Sequence, residues 1–368
     1  MKFCVVGAGN GGRAFAAYLS SRGHKVNLYN RSFSRIVDIK KKGGIKVSGE
    51  IKGFFRCNLV TQNLKLAIRD VDVILIVVPA SAHKEIADKI AKYLSPDQII
   101  LLNPGRTFGA IEFRRTIEKK GLSFPIFIAE TQTLIFTSRQ LKKNGVKILR
   151  IKDTVDLAAF PEKDTFFVYD TLKDVFPQLN AVDDYLEMTL NNIGMLLHPT
   201  LSLLNAGAMD CGKEFKFYAE GATRRTCEVL ETIQNELNKI FEILGFKLLR
   251  FCNWAKKSYH VKKNQIYNTI QNIKAYENIK APKKLITRYF TEDVPTGLVP
   301  ISSLAKFLGV ETPIIDSIIN ISSILCGINF KNEGRTLEKL EIIDFIKKRI
   351  IIKQDLDKLE EISIKTTI

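Results

Sequence analysis

MKFCVVGAGNGGRAFAAYLSSRGHKVNLYNR, residues 1–31, decides the fold. Four apolar residues, Phe3 to Val6, run into Gly7-Ala8-Gly9-Asn10-Gly11-Gly12. An alanine-rich run follows, and a second apolar stretch, Val26 to Tyr29, closes the segment. The pattern reads as strand, tight turn, helix, strand. Gly7, Gly9 and Gly12 fall at G-x-G-x-x-G spacing, and each has a physical task. Gly7 permits the sharp turn, Gly9 lets the backbone approach a pyrophosphate, and Gly12 lets helix and strand pack closely. The helix N-terminus then points at the phosphates. The motif has the strand-to-helix context it requires, so the segment reads as dinucleotide-binding, with Asn10 and Gly11 beside the phosphates. A glycine-rich turn that holds no cofactor is the bland alternative.

The end of the second strand selects the cofactor. Asn30-Arg31-Ser32 offers no carboxylate to a ribose 2′-hydroxyl, whereas Arg31 can pair with a 2′-phosphate and Ser32 can donate to it. The expectation is NADP, with NAD as the second choice. The plainer reading of Arg31 is a solvated surface charge.

The chain has 368 residues, enough for two domains and a sizeable core. Its six cysteines (Cys4, Cys57, Cys211, Cys227, Cys252 and Cys326) are scattered without a C-x-x-C pair. They read as reduced thiols, not as a disulfide framework or zinc site, and no metal is expected. The first apolar run ends in the glycine turn too early for a signal peptide, and no stretch has eighteen uninterrupted apolar residues. A cytoplasmic protein with no membrane role is the expectation. Net charge is +17, and residues 247–288 hold eleven Lys or Arg against one acid, Glu277. No aromatic-interleaved binding motif accompanies that segment, so nucleic acid is not an expected partner. A lysine-rich solvated surface is the favoured reading, and a field that attracts anionic substrates is the second.

Along the chain, residues 32–42 read as a helix, and 45–47 and 54–60 as short strands. Val71 to Val78 is a nearly continuous β-branched run, as in a central parallel strand buried on both faces. Pro79-Ala80 ends it, and the loop to His83 leaves the carboxyl end of a strand, where open α/β sheets bind ligands. Pro79 is expected beside the cofactor. His83 reads either as a ligand contact or as a surface residue. Strand 98–102 runs into Asn103-Pro104-Gly105-Arg106, placed near the nicotinamide, and strand 126–129 ends at Glu130-Thr131-Gln132-Thr133, where Thr131 is a substrate-side candidate. Segments 136–139, 146–151 and 155–160 look like strands and 163–176 like a helix. Near residue 184 strand signals stop. The expected fold is an α/β Rossmann N-terminal domain, residues 1–184, plus an all-α C-terminal domain, residues 185–368.

The second domain opens with a mostly apolar helical run, 186–208, containing Pro199, which predicts a kink beside His198. Of the four histidines His198 alone lies on an apolar helix, where a satisfied core residue is the commoner outcome than a catalyst. Residues 219–244 form a long amphipathic helix. Trp254, the only tryptophan, lines a substrate pocket or fills core. Residues 287–300 carry Arg288, suited to a two-pronged grip on a carboxylate, and Asp293, suited to orienting a histidine. The bland reading of this stretch is an interhelix loop. The tail, 341–368, has six basic and six acidic residues and an apolar face, and reads as a docked or dimerising helix.

Together these motifs closely resemble the octopine/nopaline-type opine dehydrogenases, including the bacterial carboxyalkyl amino acid dehydrogenases, over residues 1 to about 340. They are the glycine loop with its helix; Asp72 through Ala80; Leu102-Asn103-Pro104-Gly105; His198-Pro199 with Leu203-Leu204-Asn205-Ala206; Arg288-Tyr289 with Glu292-Asp293 and Thr296-Gly297-Leu298-Val299-Pro300; and Glu333-Gly334-Arg335-Thr336-Leu337-Glu338-Lys339-Leu340. The resemblance implies reductive condensation of an α-keto acid with an amino acid. It assigns the general acid/base to His198, its partner to Asp293 and the keto-acid-binding arginine to Arg288. Thr200-Leu201-Ser202 stands where relatives carry a proline-containing run, a departure that bears on substrate shape. A homodimer is expected. Two other functions fit the residues alone: a related NADP-dependent dehydrogenase of a small hydroxy or phosphorylated acid, and a non-catalytic NADP-binding sensor.

Overall fold

The computed structural model describes residues 1–352. Twelve strands are formed among them: β1 (Lys2–Val6), β2 (Lys25–Tyr29), β3 (Gly44–Gly49), β4 (Gly53–Arg56), β5 (Leu59–Thr61), β6 (Val73–Ile76), β7 (Ile99–Leu102), β8 (Phe127–Thr131), β9 (Phe136–Gln140), β10 (Gly145–Ile151), β11 (Val155–Ala159) and β12 (Leu179–Ala181). Eight make one sheet in the order β12-β11-β8-β7-β6-β1-β2-β5, parallel except where β11 meets β8. From β1 the chain winds outward to β2 and β5, then returns to the other side of β1 for β6, β7 and β8. That reversal puts the topological switch point at the carboxyl ends of β1 and β6, where Gly7 and Val77 stand. Every residue of β6 and β7 is buried, as their apolar runs require of strands covered on both faces.

The other four strands form a second sheet, β4-β3-β10-β9. The segment read as one strand, 54–60, is therefore two, β4 in the second sheet and β5 in the first. The second sheet explains why the helix Asn10–Ser21 is buried almost all round, from Gly11 to Leu19. It lies between two sheets: Phe15 meets Phe136 with ring centroids 4.8 Å apart on one side and Phe176 at 5.7 Å on the other. Truncating Phe15 to Ala would cost about 3–5 kcal/mol. Arg13 is buried on this helix without a carboxylate partner among the described residues and spends its guanidinium on carbonyls, among them Ala8 O at 3.1 Å, Lys143 O at 2.7 Å and Arg35 O at 2.8 Å. The glycine loop and the second sheet are thus tied by one side chain.

After β12 the described residues hold helices only, the first being Tyr185–Leu190. The expected run 186–208 is three pieces: Tyr185–Leu190, Ile193–Leu204 and Ala206–Asp210. The breaks fall at Asn191-Asn192 and Asn205, not at Pro199, which the second piece passes through unbroken. Asparagine side chains compete for backbone groups, and here Asn192 caps the second piece by accepting from Gly194 N at 3.1 Å. The long helix Arg224–Leu244 carries Glu236, buried, whose two oxygens accept from Ile314 N (2.7 Å) and Ile315 N (3.0 Å). A carboxylate at the N-terminus of the helix Pro313–Cys326 satisfies its free donors and its dipole together. Residues 343–352 form a helix that docks on its own chain, with Ile346 fully buried, Phe345 against Phe160 at 5.6 Å and Arg349 paired with Asp184. The rest of the expected tail helix, 353–368, lies outside the described residues.

Candidate active site

A cleft of about 580 Å³ runs from the glycine loop, across the carboxyl ends of the sheet, to the helices that carry His198 and Arg288. The glycines are required by close packing. Gly7 has φ +114°, and a Cβ there would meet Val77 O at 2.3 Å; at Gly12 it would meet Gly7 O at 1.8 Å. Gly9 differs, since the nearest atom to a Cβ is Arg35 Nη1 at 3.9 Å. The protein leaves that space open, as a loop that admits a pyrophosphate must. The loop's shape is held from behind, by Asn30 Oδ1 accepting from Ala8 N (3.0 Å) and Asn10 Oδ1 accepting from Gln140 N (2.8 Å). Gly7, Gly9, Asn10 and Gly11 line the cleft, while Gly12 sits behind them in the helix–strand contact.

Beyond the loop the cleft is basic. Arg31, Ser32, Arg35 and Lys89 line it, with Glu85 the one acid at that end among the described residues. Arg31 pairs with Glu85 at 3.2 Å, and Lys89 reaches the same carboxylate at 2.5 Å. Sequence reading named Arg31 and missed the carboxylate, since Glu85 belongs to a helix on another βα unit. Arg35 leaves a positive surplus. At the other end of the loop, Pro79 and Asn103 line the cleft, and Asn103 Nδ2 is buried without a partner among the described residues, a donor available to a ligand. These features fit a dinucleotide.

His198 sits on the helix Ile193–Leu204, and Asp293 follows the short helix Arg288–Thr291. Their side chains meet, His198 Nδ1 donating to Asp293 Oδ2 at 2.8 Å. The other ring nitrogen, Nε2, accepts from the Tyr218 hydroxyl at 3.1 Å. Burial, followed by neighbouring Tyr289 and Tyr259, pushes the Tyr218 hydroxyl well above its ordinary pKa, so it stays a donor. Tyr289 stacks on the His198 ring at 4.4 Å, and the Arg288 guanidinium lies 5.9 Å from the Tyr289 centroid. Arg288 is half exposed, with Glu292 Oε2 no nearer than 4.0 Å. It is free to take a ligand.

Beneath this layer lies a charge network that the sequence did not reveal. Arg106 is buried, its Nε 3.3 Å from Glu292 Oε1 and its Nη2 3.2 Å from Asp293 Oδ1. Burial alone would raise Asp293; Arg106 and then His198 outweigh it and hold the carboxyl below its ordinary range. Glu292 Oε1 also accepts from Ala80 N at 3.3 Å, so the pair spans both halves of the molecule. Arg335 does the same from the far end of the chain. It grips Glu112 at 2.8 Å and donates to Gly105 O, Thr107 O and Ala80 O, the carbonyls of both loops that flank the cofactor end.

Two expectations are corrected. Thr131 is buried in the sheet end, where its hydroxyl donates to Asn103 Oδ1 at 3.0 Å; Thr133, two residues on, reaches the cleft instead. His83 is neither a surface residue nor a ligand contact but fully buried, with Nδ1 3.3 Å from Arg335 Nη2. Burial, then Arg335, drives its pKa well below normal and keeps it neutral. Trp254 does line the cleft, and its Nε1 is buried without a partner among the described residues. The basic stretch 247–288 is partly paired on the surface, with Lys280 and Lys283 both on Glu214. Among the described residues there is no cluster of metal ligands and no helix long and apolar enough alone to cross a membrane.

The chain is 39% identical over 339 residues to an opine dehydrogenase of Arthrobacter sp. (strain 1C), covering 92% of this chain and 94% of that one. It belongs to the opine dehydrogenase family. Residues 181–326 match the family described as NAD/NADP octopine/nopaline dehydrogenase, alpha-helical domain, and residues 2–105 match the NAD-dependent glycerol-3-phosphate dehydrogenase N-terminus. The octopine dehydrogenase of Pecten maximus is 24% identical, over 87% of this chain and 88% of its own. Among solved structures, an octopine dehydrogenase in complex with NADH and agmatine superposes with a TM-score of 0.75 at 20% identity, covering 93% of this chain and 97% of that one. A yersinopine dehydrogenase with NADP+ bound gives 0.70 at 12% identity, over 95% and 98%. The chain is accordingly a nicotinamide-dependent oxidoreductase with an N-terminal Rossmann domain and a helical second domain. Its activity is that of an opine dehydrogenase, and neither a hydroxy-acid dehydrogenase nor a cofactor sensor is favoured.

Proposed function

We propose that His198 is the acid/base of this condensation, that Asp293 orients it, that Arg288 holds the keto-acid carboxylate, and that NADPH is preferred to NADH. The observation that carries this reading is the 2.8 Å bond between His198 Nδ1 and Asp293 Oδ2, set in the cleft that begins at the glycine loop. That bond fixes the tautomer and leaves the Nε2 lone pair to take a proton once substrate displaces the Tyr218 hydroxyl from it. Nε2 then accepts a proton from the amino-acid ammonium, and the freed amine attacks the keto carbon. The attacking nitrogen gives a second proton to the former carbonyl oxygen and His198 returns the first, so that oxygen leaves as water and a protonated imine remains. The nicotinamide supplies the hydride that reduces the imine carbon. Asp293 stabilises the imidazolium while it lasts, and Arg288 keeps the reacting carbon in position.

Preference for the phosphorylated cofactor is supported by Arg31, Ser32 and Arg35 at the end of β2, with no carboxylate on that strand end. Glu85, shared by Arg31 and Lys89, weakens the preference without cancelling it. The reading extends to a cytoplasmic homodimer. Free cysteines support the compartment, and Ile351 and Ile352, more than half exposed at the end of the docked helix, support the contact. Sedimentation velocity tests the assembly.

The functional test is oxidation of NADPH, with NADH in parallel, against the proteinogenic L-amino acids crossed with pyruvate and other keto acids. Wild type and His198→Ala are compared. Turnover that needs both substrates, favours NADPH and collapses in the variant supports the reaction, the cofactor preference and the role of His198. Retained turnover in His198→Ala would overturn the acid/base assignment.

A further inference from the structure

Lys152 follows β10, is buried, and lines the cleft. Its ammonium donates to Thr133 Oγ1 at 2.8 Å and Leu134 O at 2.7 Å, two neutral acceptors. Among the described residues it has no carboxylate partner. Burying an ammonium without a counter-charge is costly, and chains seldom keep one without use. Burial, then Arg106, lowers its pKa to about 7. The ammonium lies 5.6 Å from the ring centroid of Trp254, whose buried Nε1 also lacks a partner and also lines the cleft. A cation that meets only neutral acceptors and an indole donor that meets none thus share one wall.

Charge balance says what they await. Glu292 and Asp293 are the acids at the substrate end, and Arg106 is wedged between them. Arg288 and Lys152 line the same cleft and, among the described residues, have no carboxylate closer than Arg288's 4.0 Å contact. The product of joining a keto acid to an amino acid carries two carboxylates, one on each side of the nitrogen. Resting on the reading above, which gives one of them to Arg288, we propose that Lys152, with the Trp254 indole N–H, binds the other, the α-carboxylate of the amino-acid substrate.

The test compares wild type with Lys152→Met and Lys152→Arg. Initial rates are measured with NADPH and pyruvate, using the best proteinogenic L-amino acid and its carboxamide. The expected result is a rise of tenfold or more in the amino-acid KM of Lys152→Met, with the pyruvate KM within twofold and a smaller change in kcat. Preference for the acid over its carboxamide should fall by a similar factor, and Lys152→Arg should recover part of it. A rise confined to the pyruvate KM, or an unchanged preference for the acid, would overturn the assignment. Turnover in no amino-acid and keto-acid pair by wild type would instead defeat the underlying reading of the reaction.

Thermal midpoints separate this role from a structural one. Below pH 7 the buried ammonium burdens the folded state; between 7 and the ordinary lysine value the folded protein sheds its proton first, so the burden fades as pH rises. Lys152→Met should therefore melt higher than wild type at pH 6, and the gap should shrink toward pH 10. A variant that melts lower at pH 6 would mark Lys152 as a tie between Thr133 and Leu134, and would overturn the proposal.

Discussion

The two ends of the cleft are built on opposite principles. At the cofactor end Arg31 is 73% exposed at its side chain and Glu85 is 43% exposed, so water screens every charge. At the other end the Arg106 side chain is 8% exposed, Glu292 3% and Asp293 1%. Exposed pairs are worth little each and can be altered singly. A buried network cannot, because removing one member strands the others. The cleft therefore pairs an adjustable cofactor grip with a fixed reaction centre.

The sharpest break in that contrast is His198→Ala. It should lower kcat by about 10²–10⁴ while NADPH binding, followed by fluorescence, stays within a few-fold. Loss of both together would mean the two ends are not separable. Next comes Arg106→Met, which leaves Glu292 and Asp293 buried with nothing between them. Urea denaturation should show a loss of about 3–5 kcal/mol, far beyond any single change at Arg31.

Glu130 offers a pH test of the buried side. Burial raises its pKa to about 7, against the opposing pull of its bonds from Thr189 and Ala110. Between pH 4.5 and 7 the folded protein then holds a proton that the unfolded chain has lost, so this group reduces stability as pH rises, by roughly 3 kcal/mol over the window. Glu130→Gln should flatten that part of the stability profile, read from thermal midpoints at closely spaced pH. The smallest effect belongs to the exposed end. Arg31→Ala and Arg35→Ala should each raise the NADPH KM up to about tenfold and leave the NADH KM alone, and the difference should fade as salt rises.

What the sequence made legible follows the same division. The glycine loop, Asn30-Arg31-Ser32 and the strand order around them depend on local spacing, and the parallel sheet with its switch point follows from it. His198 and Asp293 stand 95 residues apart, and only the family's motifs brought them together before the structure did. Arg106, Lys152 and Tyr218 carry no local signal. Arg106 stood in an Asn-Pro-Gly-Arg loop already placed near the nicotinamide, but its meaning lies in carboxylates from the second domain. Thr131 and Thr133 were confused for a simple reason: β8 ends at Thr131, whose side chain still faces the sheet end, and the chain opens to the cleft two residues later. The helical run 186–208 was divided at Asn191-Asn192 and Asn205, whose side chains offer stopping points, while Pro199 lies inside the unbroken second piece.

Arg335 sets an order of events. The carbonyls it holds, at Ala80, Gly105 and Thr107, belong to the part of the chain a ribosome makes first. At roughly 5–20 residues per second, about ten to fifty seconds pass between the emergence of those loops and that of Arg335. From the emergence of β12 until that of Arg335, the nucleotide-binding half has its strands but not the clasp that fixes the loops at its mouth. The nascent enzyme thus has its cofactor mouth fastened after its reaction centre is made, and a chain truncated before Arg335 would keep the sheet while leaving both loops unfastened.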